Sequence, residues 1–468
     1  MAGPVSQRGF WASRVGFILA AAGSAVGLGN IWKFPYVTGN NGGGLFILIY
    51  LACVVAVGIP IMNAEIMMGR STARSPVPAF RSLAGKGSPW TLTGWMGVAA
   101  GFVILSYYSV VAGWSVYYTA LAVGQGFTAN TPQELDVIKG LFDELLANPM
   151  LNVSLHAGFM AATIGVVIGG VQSGIERWSR ILMPTLFTML LGLGVYALTL
   201  PGAGSALNFM FGLHTDQLKP AGFLEAFGQA FFSLSLGMGA MLTYGSYLPR
   251  QTSILGSSMW VALLDTGVAL LSSIVIFPVT YTYGIDPSAG PGLVFQSLPM
   301  AFAQMPGGRL LASAFFMLLV FAALTSSISL LEVVASTFID LLGWTRSKAV
   351  IVTGTVIFFV GVPSALSGGA FFGGRMKDAI GLSFFDVMDK LSSNWMLPLG
   401  GLLIAIFVGW RMNADKRKEE FSIETPGWSY GPWLGLLRYL APVAVLAVMA
   451  KSTGLFKALG LKWGSGGG

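Results

Sequence analysis

The sequence predicts an all-α polytopic membrane protein that crosses the bilayer about eleven times. Only 10% of its 468 residues are charged and 54% are apolar, whereas soluble domains carry roughly 25% charged residues. Apolar stretches of roughly 20 residues, the length of a membrane-spanning helix, recur from end to end. Glycine pairs interrupt the first and the sixth stretch at mid-membrane depth. We therefore expect one transmembrane domain over residues 1–468, with helices 1 and 6 broken.

The predicted spans form two groups of five and one additional helix. The first five-helix repeat covers 14–200 and the second covers 223–410. In chain order the spans lie at about 14–38, 43–70, 90–124, 154–172, 178–200, 223–250, 256–284, 308–343, 347–365, 381–410 and 432–450. Because five spans separate the two broken helices, the second repeat enters the membrane from the opposite side, which is the pattern of an inverted repeat.

The charges in the loops predict the orientation. With a cytoplasmic N-terminus, the inner segments hold most of the basic residues, and the outer loops hold fewer together with an acidic segment at 134–144. This bias follows the positive-inside rule, so we expect a multi-pass protein of the plasma membrane, the inner membrane of a bacterium. The net charge of +7 is dispersed among apolar spans and forms no basic patch with aromatic residues. The expected partner is the lipid bilayer, with no nucleic acid.

Several classes of chemistry are excluded by residue types. One cysteine and two histidines, Cys53, His156 and His214, are too few for disulfides or for zinc sites of His and Cys. The sequence contains no G-x-x-x-x-G-K-[ST] phosphate loop and no visible pairing of a nucleophile with a base. We therefore predict that the protein is not an enzyme and that any pumping energy comes from an ion gradient.

The broken helices are the candidate binding site. Gly27 and Gly29 interrupt span one, and Gly237 and Gly239 interrupt span six, 210 residues further along. Backbone groups freed inside a membrane are tolerated where they line a cavity, where N–H groups suit an anion and carbonyls suit a hard cation. The alternative is close helix packing through small residues, which paired and symmetric copies disfavour.

Few ionisable residues lie within the predicted spans, where each costs several kcal/mol unless it is paired or hydrated. They are Lys33, Glu65, Asp265, Glu332 and Asp389. They do not form the rings of charge that a channel requires. We expect Glu65 and Glu332 to satisfy backbone groups of the broken helices.

The motifs occur in one order along nearly the whole chain. They comprise Arg8 and Trp11, GSAVGLGNIWKFP at 23–35, NGGG at 41–44, GIP at 58–60 with Glu65, YY at 107–108, QAFFSLS at 229–235, TYGSY at 243–247 and AALTSS at 322–327. This pattern resembles the neurotransmitter:sodium symporters, which have the LeuT-type fold. Within that family the chain is similar to bacterial sodium-coupled transporters of several hydrophobic amino acids.

The resemblance implies two sodium sites. The first consists of the Ala25 carbonyl, Asn30, Ser233 and Asp265, completed by the substrate's carboxylate. The second consists of the carbonyls of Gly23, Val26 and Ala322 with the hydroxyls of Thr325 and Ser326. Taken alone, the two hydroxyls are more typical of helix packing, in which they bond to their own backbone.

The resemblance also implies an amino-acid site, with the substrate carboxylate on the N–H groups of Leu28 and Gly29. The implied lining is Ala25, Leu28, Gly29, Ile104, Tyr108, Phe232, Ser233, Ser235, Met238, Ser326 and Leu330. Gly27 stands where family members that carry monoamines have an acid. Glycine leaves room for an amino acid, which brings its own carboxylate, and the apolar part of the implied lining favours a hydrophobic or aromatic side chain.

Asp265 and Ala269 indicate that chloride is not required. Asp265 stands at a position where the family commonly has asparagine, and Ala269 where chloride-dependent members usually have serine. Two sodium ions and a zwitterion leave an excess of positive charge that must be offset in a low dielectric. We expect Asp265 to offset it; the alternative is a protonated, structural Asp265.

The resemblance implies an outer gate at Lys33 and Asp389, with Phe232 as an aromatic lid beneath them. Lysine replaces the arginine that is usual in the family. Because lysine lacks the bidentate fork of arginine, we expect a more loosely held pair.

The resemblance implies an inner gate in which Arg8 pairs with Asp340 and Trp11 is wedged beside them. The spacing of Gly174 and Pro184 is similar to a motif at which helix 5 unwinds to hydrate the second sodium site. A simple proline kink explains the same spacing equally well.

The expected function is sodium-coupled symport of an amino acid by alternating access. An ion channel is the first alternative, and it would pass ions without substrate. A transporter-like nutrient sensor is the second, and it would carry a long soluble signalling tail. The longest candidate segment for such a tail, 413–432, is too short for a domain.

Overall fold

A computed structural model describes residues 9–129, 131–213, 222–285 and 292–452. Within these ranges every element of regular structure is helical, which confirms the predicted fold class. Arg8 and His214 lie outside the described residues.

The helices fall on the two sides of the gap at 214–221. Those before it are α1 (Arg14–Ala25), α2 (Phe34–Asn40), α3 (Gly44–Cys53), α4 (Ile59–Thr72), α5 (Pro76–Ala84), α6 (Thr91–Gly124), α7 (Pro132–Ala147), α8 (Pro149–Ile168), α9 (Arg177–Ala197) and α10 (Ala203–Phe211). Those after it are α11 (Gly222–Ser233), α12 (Ala240–Gly245), α13 (Ile254–Tyr283), α14 (Leu298–Gln304), α15 (Gly308–Leu342), α16 (Arg346–Ala365), α17 (Met376–Ile380), α18 (Phe384–Lys390), α19 (Leu397–Ile406), α20 (Ala414–Ser422), α21 (Tyr430–Gly435) and α22 (Ala441–Ser452).

Short π-helical segments join many of these helices. In the described ranges they are Gly29–Lys33, Val54–Gly58, Val171–Glu176, Leu293–Ser297, Ala370–Arg375, Leu391–Met396, Phe407–Arg411 and Leu436–Leu440, and Gly427–Ser429 is a 3₁₀ turn. Proline is often the second residue of the helix that follows, as at Pro35, Pro60, Pro299, Pro398 and Pro442. Since proline has no N–H to donate to the preceding turn, that turn widens into π geometry.

Nine helical segments in the described ranges are long and apolar enough to cross a membrane, and a bent pair makes up to ten. The nine are Gly44–Thr72, Thr91–Gly124, Pro149–Ile168, Val171–Ala197, Ile254–Tyr283, Gly308–Leu342, Arg346–Ala365, Phe384–Arg411 and Gly427–Ser452. The bent pair is Arg14–Ala25 with Gly29–Asn40, which meet at 58°. The predicted span 223–250 is divided into α11 and α12, so the total of eleven stays a prediction.

The two longest helices of the described chain, α6 and α15, pack along each other and are largely buried. α1 packs against α15, α13 and α9, and α12 packs against α4 and α15. The break between α1 and α2 and the break between α11 and α12 therefore lie against the same central pair. The internal repeat boundaries, 14–200 and 223–410, and the separate eleventh helix at 432–450 stay predictions.

Candidate substrate and sodium sites

The two helix breaks carry backbone groups into the interior. α1 ends at Ala25, where Val26 turns to extended geometry with ψ 108°. After α11 ends, Ser235 and Gly237 have positive φ of 54° and 84°. Glu65 Oε1 accepts the N–H of Gly237 at 2.7 Å, as expected for Glu65. The freed backbone groups are thus held in place by side chains.

A cluster of buried polar groups joins the breaks to α13. Asn30 Nδ2 donates to Asp265 Oδ1 at 2.7 Å and to Ser233 Oγ at 2.9 Å, and Ser233 Oγ donates to Asp265 Oδ2 at 2.5 Å. Asn30 Oδ1 accepts the N–H of Gly27 at 3.1 Å. The structure therefore brings together three of the four residues implied for the first sodium site, with Ala25 on the adjoining cavity wall.

Carboxylate, hydroxyl and amide oxygens are the ligands that hard cations prefer. In this rotamer Asn30 presents its amide nitrogen to the cluster. To act as a ligand it would turn its amide by about 180°, since only the oxygen binds a cation.

A second set of oxygens lies between α1 and α15. Ser326 Oγ donates to the Val26 carbonyl at 3.1 Å and lies 3.4 Å from that of Gly23. Thr325 Oγ1 donates to the Ala322 carbonyl at 3.0 Å. A Cβ at Gly23 would lie 3.1 Å from Thr325 Cβ. The five residues implied for the second sodium site are adjacent, although Thr325 also bonds its own helix.

All eleven residues implied for substrate binding line one cavity of about 50 Å³. The same cavity is also lined by Ser24, Gly27, Asn30 and Leu397. Ser24 and Leu397 were absent from the sequence prediction. Ser24 lies within the motif at 23–35, whereas Leu397 lies in none of the motifs.

Gly27 and Tyr108 define the polar end of the cavity. The Leu28 N–H donates to the Tyr108 hydroxyl at 3.4 Å. A Cβ at Gly27 would lie 2.9 Å from Ser326 Oγ and 3.1 Å from the Tyr108 hydroxyl. Any side chain at position 27 would therefore occupy the space in front of the backbone N–H groups.

The implied outer gate is only partly assembled. Lys33 Nζ lies 4.1 Å from the centroid of the Phe232 ring, as a cation–π contact. Asp389 Oδ1 accepts from Tyr107 at 3.1 Å and from Ser393 at 3.0 Å. Among the ion pairs of the described residues, none joins Lys33 to Asp389.

On the inner side, Trp11 is buried as expected. Its Nε1 donates to the Tyr244 carbonyl at 2.9 Å and its ring packs edge-on against Tyr244 and Tyr247. Asp340 Oδ2 accepts the N–H and the hydroxyl of Ser75 at 2.9 and 2.8 Å. Its expected partner, Arg8, lies outside the described residues.

Glu332 differs from the expectation that it satisfies the backbone of a broken helix. Arg346 donates to both of its carboxylate oxygens, at 3.2 and 2.6 Å, and the Tyr247 hydroxyl donates to it as well. Arg346 also donates to the Val167 carbonyl. The signal missed in the sequence was Arg346 at the start of α16, 14 residues further on.

The region between Gly174 and Pro184 is irregular at its beginning. Gly174 lies in the π segment Val171–Glu176 and Pro184 lies inside α9. Gly170, just before the segment, has a φ of 84°. The helix is therefore locally widened just before α9, in the predicted fifth span, and the role of this widening in hydration stays a prediction.

A bundle of apolar spans with discontinuous helices around buried oxygens defines a membrane transporter rather than an enzyme. The fold matches the crystal structure of MhsT in complex with L-phenylalanine, with a TM-score of 0.86 and 44% identity, covering 95% of this chain and 100% of that one. Uncharacterized sodium-dependent transporters from Bacillus subtilis (YhdH) and Haemophilus influenzae are 38% and 33% identical, over 95% and 94% of this chain and 98% and 97% of their own length.

The model of the sodium:neurotransmitter symporter family matches residues 8–135 and 135–463. The chain belongs to this family. It is a sodium-dependent, multi-pass membrane transporter with the LeuT-type fold.

Proposed function

We propose that this protein takes up a hydrophobic or aromatic amino acid with sodium by alternating access, using two sodium sites and no chloride. The observation that carries the proposal is the cavity between the broken helices, whose wall combines the backbone of the first break, an apolar lining and the Asn30–Ser233–Asp265 cluster. The complex of MhsT with L-phenylalanine supports an amino acid as the substrate.

The first sodium ion would bind where Asn30, Ser233 and Asp265 meet the Ala25 carbonyl. All four residues are at most 5% exposed, so the ion would be shielded from water. The substrate's carboxylate would complete this site. Such sharing couples the two ligands, because sodium that strengthens substrate binding must be strengthened by substrate to the same degree.

The second ion would bind between α1 and α15, at the carbonyls of Gly23, Val26 and Ala322 and the hydroxyls of Thr325 and Ser326. Ser326 already contacts two of these carbonyls. The ion would connect the end of α1 to α15, so that its release frees α1 to move. This connection gives a physical route from sodium release to opening of the inner side.

The substrate would lie with its carboxylate on the N–H groups of Leu28 and Gly29, near the Tyr108 hydroxyl. Its side chain would contact the apolar part of the lining, including Ile104, Met238 and Leu330. Chloride would be unnecessary because the Asp265 carboxylate lies in the cluster itself, next to Ala269 one turn along α13.

Alternation would require two gates that close in turn. On the outside, Phe232 with Lys33 above its ring would cover the cavity, and Asp389 would approach when the gate tightens. On the inside, Trp11 would leave its pocket when Arg8 separates from Asp340. We propose a cytoplasmic N-terminus, from the charge bias of the loops.

The test is binding of radiolabelled phenylalanine to the purified full-length protein, with competition by the twenty amino acids, in sodium and in potassium. We expect saturable binding in sodium only, unchanged when gluconate replaces chloride, and strongly reduced in Asn30→Ala. Equal binding in potassium would refute the sodium assignment. Ion flux through proteoliposomes in the absence of any amino acid would favour the channel instead.

A further inference from the structure

Two residues line the boundary between the substrate cavity and the outer chamber. The chamber, of about 700 Å³, is bounded by α2, α11, α22 and the region around Ser393. Of the residues that the structure describes, Phe232 and Leu397 line both this chamber and the 50 Å³ cavity beneath it. The partition therefore has an aromatic half on α11 and an aliphatic half on α19.

Leu397 lies on the helix face that descends from the outer gate. Asp389, Ser393 and Leu397 are spaced by four residues, which places them on one side of the helical span. Ser393 lines the chamber and donates to Asp389 at 3.0 Å. Leu397 itself is 3% exposed, so this face changes from polar at the chamber to apolar at the cavity.

The backbone at Leu397 cannot easily retreat. Gly237, with a φ of 84°, approaches so closely that a Cβ there would collide with the Leu397 carbonyl oxygen. Glu65 holds the N–H of Gly237 at 2.7 Å. The side chain, rather than a movable backbone, thus sets the position of this wall.

We propose that Leu397 is a specificity-determining residue that limits the size of the substrate side chain at the outer end of the cavity. This proposal rests on the proposed amino-acid transport. A large substrate side chain would require the space that Leu397 fills, whereas a small substrate side chain would leave Leu397 in its present position. In apolar pockets a change of one methylene alters discrimination by roughly 10- to 200-fold.

The experiment compares Leu397→Ala and Leu397→Phe with the wild type in sodium-dependent binding of tryptophan and of valine. The measured quantity is the ratio of the two dissociation constants. We expect Leu397→Ala to shift the ratio about tenfold in favour of tryptophan, and Leu397→Phe to shift it about tenfold in favour of valine. The matched control is Leu399→Ala, in the same helix but packed against the hydrophobic core, which leaves the ratio unchanged.

An unchanged ratio in both variants, with affinities for the two amino acids reduced equally, would mean that Leu397 is a packing residue and would overturn the proposal. If Leu397→Ala does not fold, Leu397→Phe and Leu397→Met decide: Leu397→Met conserves volume and must keep the wild-type ratio while Leu397→Phe changes it. A wild type that binds no amino acid in sodium contradicts the proposed function and is thereby distinguished from failure of this proposal.

Discussion

Replacing Asp265 by asparagine removes one negative charge from the candidate ion site with little change in shape. The carboxylate is fully buried and accepts from Asn30 at 2.7 Å and from Ser233 at 2.5 Å. An asparagine amide retains one acceptor, and the Ser233 hydroxyl can turn to accept from its NH₂ group. We therefore expect the variant to fold and the charge to be the main loss.

The magnitude follows from the charge and its burial. Unit charges about 4 Å apart attract by about 4 kcal/mol at an effective dielectric constant of 20. The neutral amide also costs less to bury, which offsets part of this loss. We expect sodium binding to weaken by about 2 to 3 kcal/mol, which corresponds to a roughly 30- to 150-fold higher half-saturating sodium concentration. The assay is a sodium titration of phenylalanine binding to purified protein, in chloride and in gluconate.

The matched control is Ser272→Ala, also buried in α13, whose hydroxyl has no hydrogen-bond partner within the described structure. Its sodium titration should coincide with that of the wild type. The reasoning is refuted if Asp265→Asn leaves the sodium titration unchanged while it binds phenylalanine normally. Independently, a wild type whose binding needs chloride contradicts the role given to Asp265 as the compensating charge.

Three further predictions concern the cavity and its gates. Gly27→Ala places a methyl 2.9 Å from Ser326 Oγ and should weaken phenylalanine binding, measured at equilibrium, at least about tenfold. Unchanged affinity would argue against binding of the substrate's carboxylate beside Gly27. Lys33→Ala removes a cation–π contact worth about 0.5–2 kcal/mol and should lower uptake by proteoliposomes about 2- to 30-fold, whereas unchanged uptake excludes a gating role. Trp11→Ala should speed hydrogen–deuterium exchange over 10–25, because the state that is closed on the inner side loses about 3–5 kcal/mol of packing. Equal exchange in the variant and the wild type would count against a role of Trp11 in closing the inner side.

Most span boundaries could be predicted because composition changes abruptly at them. The expected span 308–343 is observed as Gly308–Leu342, where Gly343 has the positive φ typical of a helix C-terminus. The predicted 432–450 overlaps the helical segment Gly427–Ser452, which begins earlier because Pro432 is accommodated near the start of α21 rather than at a span end. The periodicity of apolar residues does not predict that a helical span continues through a proline or a π turn.

The residues around the cavity could be predicted from motifs, but their pairing could not. The motif at 23–35 places Asn30 in the site, but it does not predict that the Asn30 amide nitrogen donates to Asp265. Lys33 and Asp389 were expected as a pair, and instead Lys33 rests on Phe232. Such choices depend on distances of a few ångströms between helices that are far apart in sequence, which local patterns do not encode.

Glu176 forms further long-range contacts that local sequence patterns do not predict. Its carboxylate accepts the Ala12 N–H at 2.8 Å and pairs with Arg180 at 2.7 Å, so the N-terminal segment is bonded to the π segment that precedes α9. Gln172, in the same segment, donates to the Phe10 carbonyl at 2.8 Å. Hydrogen bonds to charged groups contribute roughly 1.5–3 kcal/mol each. Any movement that separates residues 10–13 from this π segment must break these bonds, so displacement of the N-terminal segment and rearrangement of the π segment are energetically linked at the inner face.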